Sequence, residues 1–383
     1  MTDLTHDLGR GLAGSLMYEG LLARGNGLWG AAHRAAREMA GQPAAAHPES
    51  AGLFYGAPAA AFVLQAVGHP AYRSALASLE QPLAAMVSTR LAAAYRRMDS
   101  GRPPRMREYD LIFGLTGLGA YLLHRGSDPE PLRGVLRYLV RLLQEPVSID
   151  GREVPGWWTS DCPTGQPDDT LPTGHANFGM AHGVAGPVAL LALASRAGHS
   201  VPGQHEALAA ACRLLEHWAQ AAPGGGAAWP ETLSMGTWLA GPAPEYRAGK
   251  PSWCYGTPGI ARALQLAAIA CGRKASRTRA EDLLAACLGD SVQLARVTDL
   301  TVCHGWAGLC LAADRVAADA SASSSLHRVL PVLRAEFARR LVNDTLPESA
   351  GLLTGADGVL LTSHTLNTSH PVASGWATCL LLT

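Results

Sequence analysis

One short pattern returns six times along this chain: a glycine, two residues, a second small residue, then an apolar run. The copies are Gly56-Ala-Pro-Ala59, Gly114-Leu-Thr-Gly117, Gly183-Val-Ala-Gly186, Gly256-Thr-Pro-Gly259, Gly305-Trp-Ala-Gly308 and Gly355-Ala-Asp-Gly358. Successive first glycines stand 58, 69, 73, 49 and 50 residues apart. A recurring unit of this kind marks a repeat architecture, in which no single unit buries its apolar face alone. The spacing suits two helices plus connections per unit.

The segments after the glycine pairs have helical composition. Residues 186–195 and 259–268 are rich in Ala and Leu, both strong helix formers, and Pro187 suits a first helical turn. They are apolar nearly all round, as buried helices are. Amphipathic segments lie between them, such as residues 205–218 and, in part, 330–340. Alternation of period two is scarce, so the expected fold is all-α. An array of buried and amphipathic helices without hydrophilic end caps closes on itself. The expected architecture is therefore an α/α toroid, a double ring of inner and outer helices. It is read as one domain over residues 1–383, with residues 1–50 as an N-terminal helical segment of it. Every glycine pair then sits at the N-terminal end of an inner helix, on one face of the ring. Glycine permits close backbone approach there, and the helix dipoles turn their positive ends toward a common centre. Around Gly56 and Gly355 no ligand or acid flanks the motif, so packing is the expected role.

With 48% hydrophobic and 16% charged residues the chain can bury a large core. Zero formal net charge argues against nucleic acid as a partner. No apolar run approaches 18 residues, and the N-terminus lacks a basic segment followed by an apolar one. A soluble, cytoplasmic protein is expected. Eight cysteines in 383 residues are too sparse for a disulfide scaffold. Cys212, Cys271, Cys287, Cys310 and Cys379 read as small core residues; Cys162 lies in a polar loop. The stretch from Ser148 to Phe178, with Trp157-Trp158 and Asp168-Asp169, is too long for a plain connection and is expected to shape a groove or be mobile.

Two segments carry the chemistry: Trp253-Cys254-Tyr255-Gly256 and Cys303-His304-Gly305. Both cysteines stand two residues before a motif glycine, where other copies hold Phe54, Ile112, Ala181 or Leu353. Two thiolates and an imidazole suit zinc, and three protein ligands leave one tetrahedral position for a substrate atom. Neither cysteine belongs to a CxxC pair, which disfavours a purely structural zinc. A thiol on zinc is deprotonated outright. His182 precedes Gly183 as His304 precedes Gly305 and Tyr255 precedes Gly256, so it is expected to face the same mouth as an acid or base. His175 is expected to be a loop hydrogen-bonder. Asp110, close to an apolar repeat, needs a partner: it either orients His182 or anchors a neighbouring loop. Tyr255 is a candidate hydrogen-bond donor, Trp253 and Trp306 packing rings. Lys250 is one of only two lysines, and it lies four residues before Cys254.

Gly179-Met-Ala-His182-Gly183, Trp253-Cys254-Tyr255-Gly256-Thr-Pro-Gly259 and Cys303-His304-Gly305 together resemble the lanthionine synthetase C family, the lanthipeptide cyclases. Tyr109-Asp110 with Gly114-Leu-Thr-Gly117, and Gly351-Leu-Leu-Thr-Gly355, extend the likeness over roughly residues 50–383. The length resembles a stand-alone class I cyclase rather than the end of a bifunctional synthetase. The resemblance implies an α/α toroid with one zinc on Cys254, Cys303 and His304. It implies addition of peptide cysteine thiols to dehydroalanine or dehydrobutyrine, giving (methyl)lanthionine rings. The implied substrate is a dehydrated precursor peptide, leader plus core, with a dehydratase as partner and membrane association only through partners. His182 and Asp110 match positions with acid–base roles. Where the family often has an arginine, this chain has Lys250, a point charge rather than a planar fork. Two other functions fit the same residues: adding a small thiol such as glutathione to dehydrated peptides, or binding a peptide without catalysis around a structural zinc.

Overall fold

Every motif glycine leads into a helix, and a seventh copy of the motif opens the ring. The computed structural model describes residues 4–126, 128–162, 166, 169–222, 226–242, 249–368 and 375–383; Asp168 lies outside them. In chain order the helices are α1 (Leu12–Asn26), α2 (Gly30–Ala40), α3 (Ala57–Val67), α4 (Arg73–Asp99), α5 (Met106–Tyr109), α6 (Leu115–Arg125), α7 (Pro129–Gln144), α8 (Ala185–Arg196), α9 (Gln204–His217), α10 (Met235–Ala240), α11 (Thr257–Ala270), α12 (Lys274–Gly289), α13 (Ser291–Leu294), α14 (Trp306–Asp319), α15 (Leu326–Asn343) and α16 (Ala356–Asn367). None is long and apolar enough to cross a membrane.

The inner ring is α1, α3, α6, α8, α11, α14 and α16, each packed on the next, and α16 packs back on α1. The outer helices α2, α4, α7, α9, α12 and α15 each pack on the inner helix that precedes them. This is the expected α/α toroid. The count of six repeats is corrected to seven: Gly11-Leu-Ala-Gly14 introduces α1, with Gly11 as its N-cap. The first 50 residues thus supply a full unit of the ring.

Backbone hydrogen bonds tie the seven motifs into a circuit. Leu8 N–H donates to Phe54 O (3.0 Å), Phe54 to Ile112 (3.4 Å), Leu111 to Ala181 (3.0 Å) and Met180 to Cys254 (2.9 Å). Cys254 N–H donates to Cys303 O (3.2 Å), Cys303 to Leu353 (2.9 Å) and Leu353 to Gly9 (2.8 Å), which returns to the start. These groups would otherwise be buried without partners, so the circuit satisfies the mouth of the ring while fixing the spacing of the units.

The second small residue of each motif has a specific cause. A Cβ on Gly308 or Gly358 would stand 1.8 Å from the carbonyl oxygen of Val302 or Leu352, and one on Gly117 2.1 Å from that of Leu111. The strand-like entry segment lies directly on the helix at that point, and only a small residue fits. Gly56 (φ 71) and Gly256 (φ 115) additionally occupy a backbone region that side chains disfavour.

The last residues pack inside. Leu380, Leu381 and Leu382 are fully buried. Trp253 Nε1–H donates to Leu380 O (2.9 Å) and the Arg262 guanidinium to Leu382 O (2.8 Å). The turn Trp376–Leu380 also packs on α6, so this segment bridges helices two places apart in the ring.

Among its described residues, the stretch from Ser148 to Phe178 contains short strands. β1 (Val147–Ile149) pairs antiparallel with β2 (Arg152–Val154), and β3 (His175–Asn177) pairs with β6 (Thr232–Ser234). A third ribbon joins β4 (Gln220–Ala221) to β5 (Ala227–Ala228). Trp157 and Trp158 enter the core at 1% exposure each. Cys287, Cys310 and Cys379 are buried as expected, whereas Cys212 and Cys271 are half-buried.

Candidate metal centre and proton-transfer site

The residue immediately before each motif glycine keeps contact with solvent, while most of those one place earlier are buried. Around the ring the former are Arg10, Tyr55, Phe113, His182, Tyr255, His304 and Thr354. Alternation along an extended entry segment explains this: successive side chains point to opposite faces. The repeat therefore presents seven side chains to one mouth, three of which are His182, Tyr255 and His304.

Cys254 and Cys303 meet through the backbone bond between them and through their thiols. The Cys303 thiol donates to the Cys254 sulfur and lowers the Cys254 pKa to about 7; burial opposes this, while the Ser252 hydroxyl (3.5 Å) and nearby His304 assist. Cys303, as the donor, is pushed up by the same bond and by burial.

His304 is held from behind. Its Nδ1–H donates to Asp299 Oδ2 at 2.9 Å, and the Lys250 ammonium donates to the same oxygen at 3.0 Å, 3.3 Å from Nδ1. The other Asp299 oxygen accepts from Thr301 N–H (2.9 Å) and Thr301 Oγ (2.6 Å). Burial works against the charge on Asp299, yet these donors, His304 first among them, hold it well below the usual carboxylate range. The carboxylate in turn raises the His304 pKa. Anchoring by Nδ1 leaves Nε2 as the nitrogen available to a metal, the arrangement that fixes tautomer and orientation in histidine metal ligands.

His182 is anchored in the same manner. Its Nδ1–H donates to Asp110 Oδ2 at 2.6 Å. The other oxygen of Asp110 accepts from Phe113 N–H and Gly114 N–H, both at 2.7 Å. Asp110 is 1% exposed. The two alternatives for Asp110 are both realised: one oxygen orients His182, the other anchors the loop. Tyr255 stands beside His182, ring centroids 6.5 Å apart, and its hydroxyl accepts from Asn177 Nδ2 at 3.0 Å. Burial raises the Tyr255 pKa, so it is a neutral donor. His175 is buried and pairs with Thr159 through the backbone.

The structure therefore brings together Cys254, Cys303, His304, Lys250, His182, Asp110 and Tyr255. Among the described residues, however, no group of three or more His, Cys, Asp or Glu side chains converges on a point suited to a metal. The thiols pair with each other, and the imidazole is secured by its far nitrogen. The case for a metal lies in the donor set: two neighbouring thiols and an imidazole with its second nitrogen fixed on a carboxylate. That set fits zinc. Asp299 and Asn177 were not singled out in the sequence. Both stand six residues before a motif glycine, the register position of Lys250, and that shared register was the available signal. Two cavities lie away from this site, one of about 620 Å³ between α2 and α4 and one of about 610 Å³ around Arg196, Arg262 and Thr383. The mouth is open instead; the His304 side chain is 43% exposed.

A profile of lanthionine synthetase C-like proteins matches residues 3–381. Among solved structures, nisin cyclase superposes with a TM-score of 0.80 over 100% of this chain and 93% of its own, at 19% identity. No curated protein matches by sequence.

Proposed function

The chain belongs to the lanthionine synthetase C-like family, and from that premise we propose that it is a zinc-dependent lanthipeptide cyclase. It adds cysteine thiols of a dehydrated precursor peptide to dehydroalanine or dehydrobutyrine, after a partner dehydratase has acted. One observation carries this: a pair of neighbouring thiols, one buried and one half-buried, and a carboxylate-anchored imidazole share one mouth with a second carboxylate-anchored imidazole in the adjacent repeat.

Cys254, Cys303 and His304 Nε2 would hold the ion. When bound, zinc supplies acidity to a substrate thiol, so that its proton leaves at neutral pH. His182 manages that proton. With Nδ1–H donating to Asp110, Nε2 carries the lone pair and accepts the S–H proton. The sulfur then forms a bond to Cβ, and the Cα=Cβ π pair moves onto the enolate. His182, now an imidazolium stabilised by Asp110, returns the proton to Cα. Atoms balance: S–H and C=C are consumed, C–S and C–H are formed, and the enzyme ends as it began. Tyr255, neutral and held by Asn177, is placed to donate a hydrogen bond near the enolate. Lys250 acts indirectly, by fixing Asp299 and hence the His304 ring. Inner-helix N-termini around the mouth add a positive field where negative charge develops.

The test counts free thiols by alkylation, since cyclisation leaves mass unchanged. Enzyme-dependent loss of thiol from a dehydrated, cysteine-containing peptide is expected. Addition of free glutathione to the same peptide in preference to ring closure would favour the small-thiol enzyme. Intact thiols with every candidate precursor would leave a binding role.

A further inference from the structure

The hydroxyl of Tyr255 is only half used by the protein. Its oxygen accepts from Asn177 Nδ2 at 3.0 Å. Among the described residues it makes no other hydrogen bond, so its own hydrogen has no acceptor there. The side chain is half-buried and belongs to the set of residues that face the mouth. An unspent O–H at that place is available to a ligand oxygen. Its direction is set by Asn177.

Asn177 is itself fixed. Its side chain is buried at 0% exposure, and Oδ1 accepts from Gly179 N–H at 3.0 Å. Turned over, the amide would set its hydrogens against that N–H and strip a buried donor of its acceptor, so Nδ2 faces the phenol. The backbone is held as well. Asn177 pairs with Thr232 across the β3–β6 ribbon, Phe178 N–H donates to Glu231 O at 3.1 Å, and Asn177 O accepts from Val184 N–H at 2.9 Å. The glycines on either side of His182 make room for this arrangement: a Cβ on Gly183 would stand 2.3 Å from Asn177 Oδ1, and one on Gly179 2.7 Å from the Tyr255 ring.

We propose that Asn177 is a positioning residue for the Tyr255 proton. By donating to a lone pair of the phenol oxygen, it keeps the O–H from turning inward and presents that hydrogen to the carbonyl oxygen of the dehydro residue. Negative charge gathers on that oxygen as sulfur bonds to Cβ, so the hydrogen bond strengthens as the reaction proceeds. Cα, which receives its proton from His182, lies two bonds from the same oxygen, and the His182 and Tyr255 rings stand 6.5 Å apart. Tyr255 follows Cys254 in one motif, which puts this donor on the thiol side of the mouth. This rests on the cyclase function proposed above, and it gives the β3–β6 ribbon a purpose, the delivery of a buried amide to the phenol.

The test measures cyclisation of a dehydrated, cysteine-containing peptide by the zinc-loaded full chain. Asn177→Asp keeps the size of the side chain and an acceptor for Gly179 N–H, but its carboxylate has no hydrogen to give and accepts the phenol's own. Its kcat is expected to fall about 10²- to 10³-fold, the worth of one oxyanion donor, with KM within about twofold and zinc content unchanged. Tyr255→Phe should lose as much, and the double variant no more than either, because both changes remove the same hydrogen bond. Native kcat in Asn177→Asp, or losses that multiply in the double variant, would overturn the positioning role. Infrared difference spectra of the native protein against Tyr255→Phe isolate the phenol C–O stretch and need no Asn177 variant, so a folding defect there leaves a test. That band should shift when a dehydrated peptide with serine in place of cysteine binds, as the hydroxyl donates to a carbonyl; an unshifted band with peptide bound overturns the proposal. If the native protein cyclises the peptide and Asn177→Asp matches it, the positioning fails and the cyclase stands. If the native protein cyclises nothing, the cyclase function itself fails.

Discussion

Asp299→Asn is the perturbation that isolates the anchoring of His304. The native carboxylate collects four hydrogens: Thr301 N–H at 2.9 Å, Thr301 Oγ–H at 2.6 Å, Lys250 Nζ–H at 3.0 Å and His304 Nδ1–H at 2.9 Å. Asparagine is nearly isosteric, and its single oxygen still serves the Thr301 pair, so the turn into α14 survives. Its amide then meets Lys250 and His304 with hydrogens facing hydrogens. Both charge-assisted bonds are lost, and the imidazole is free to rotate or change tautomer. Losing a partner of this kind costs a bound metal about 10- to 100-fold in affinity, or about 1.4–2.8 kcal/mol. Zinc affinity is measured by competition with a chromophoric chelator. The Kd for zinc is expected to rise by that factor, with an unchanged helical circular-dichroism spectrum. A variant within twofold of the native affinity would refute the anchoring, and with it the claim that His304 Nε2 is presented by Asp299.

Further outcomes concern proton transfer, ring geometry and acid stability. His182→Asn should keep its zinc but lose about 10² to 10⁴ in cyclisation rate, the usual worth of general acid–base help, with Asp110→Asn weakened similarly or less; loss of zinc on His182→Asn would make that residue a ligand instead. Gly308→Ala forces a Cβ to within 1.8 Å of Val302 O, so chemical denaturation should show a loss of about 1–3 kcal/mol; native stability would mean the motif tolerates bulk. Asp319, against burial, is held below its usual pKa by Arg196 and Arg262. A depressed carboxylate stabilises above its unfolded value, about 3.9, and loses that contribution as pH falls through the folded one. Asp319→Asn should therefore melt below the native protein at pH 7, with the gap narrowing below pH 4; a gap that widens in acid would reverse the assignment.

The ring was legible in the sequence because its motif is demanded by sterics. In every copy but that of Ala59, a carbonyl three residues before the first glycine crowds the second small position, so the fold leaves a visible mark in the sequence. The first copy was missed for a physical reason. The segment after Gly11 carries Ser15, Glu19 and Arg24, and α1 keeps those residues at the ring's partly exposed flank. It lacks the all-round apolar character that identified the other inner helices. Cys254, Cys303, His304 and His182 were legible because they share register with respect to motif glycines. Asp299 was legible in the same register but stood in an unremarkable polar stretch. Three-residue strands such as β3 are too short to display alternation, so the ribbons in the long loop left no pattern. Arg262, 2% exposed on an apolar helix, reads as a misfit until Leu382 and Asp319 arrive from distant sequence to satisfy it. Partners contributed from distant sequence have no local signature.

The most direct test of the account is the zinc X-ray absorption spectrum of the purified protein, alone and with a dehydrated, cysteine-containing peptide. Two sulfur and one imidazole nitrogen scatterers are predicted for the protein alone, with a lighter atom completing four. Addition of the peptide should raise the sulfur count to three. Four protein sulfurs at the outset, or an unchanged shell in the presence of peptide that is being cyclised, would contradict the claim that Cys254, Cys303 and His304 present an open metal position to the substrate thiol.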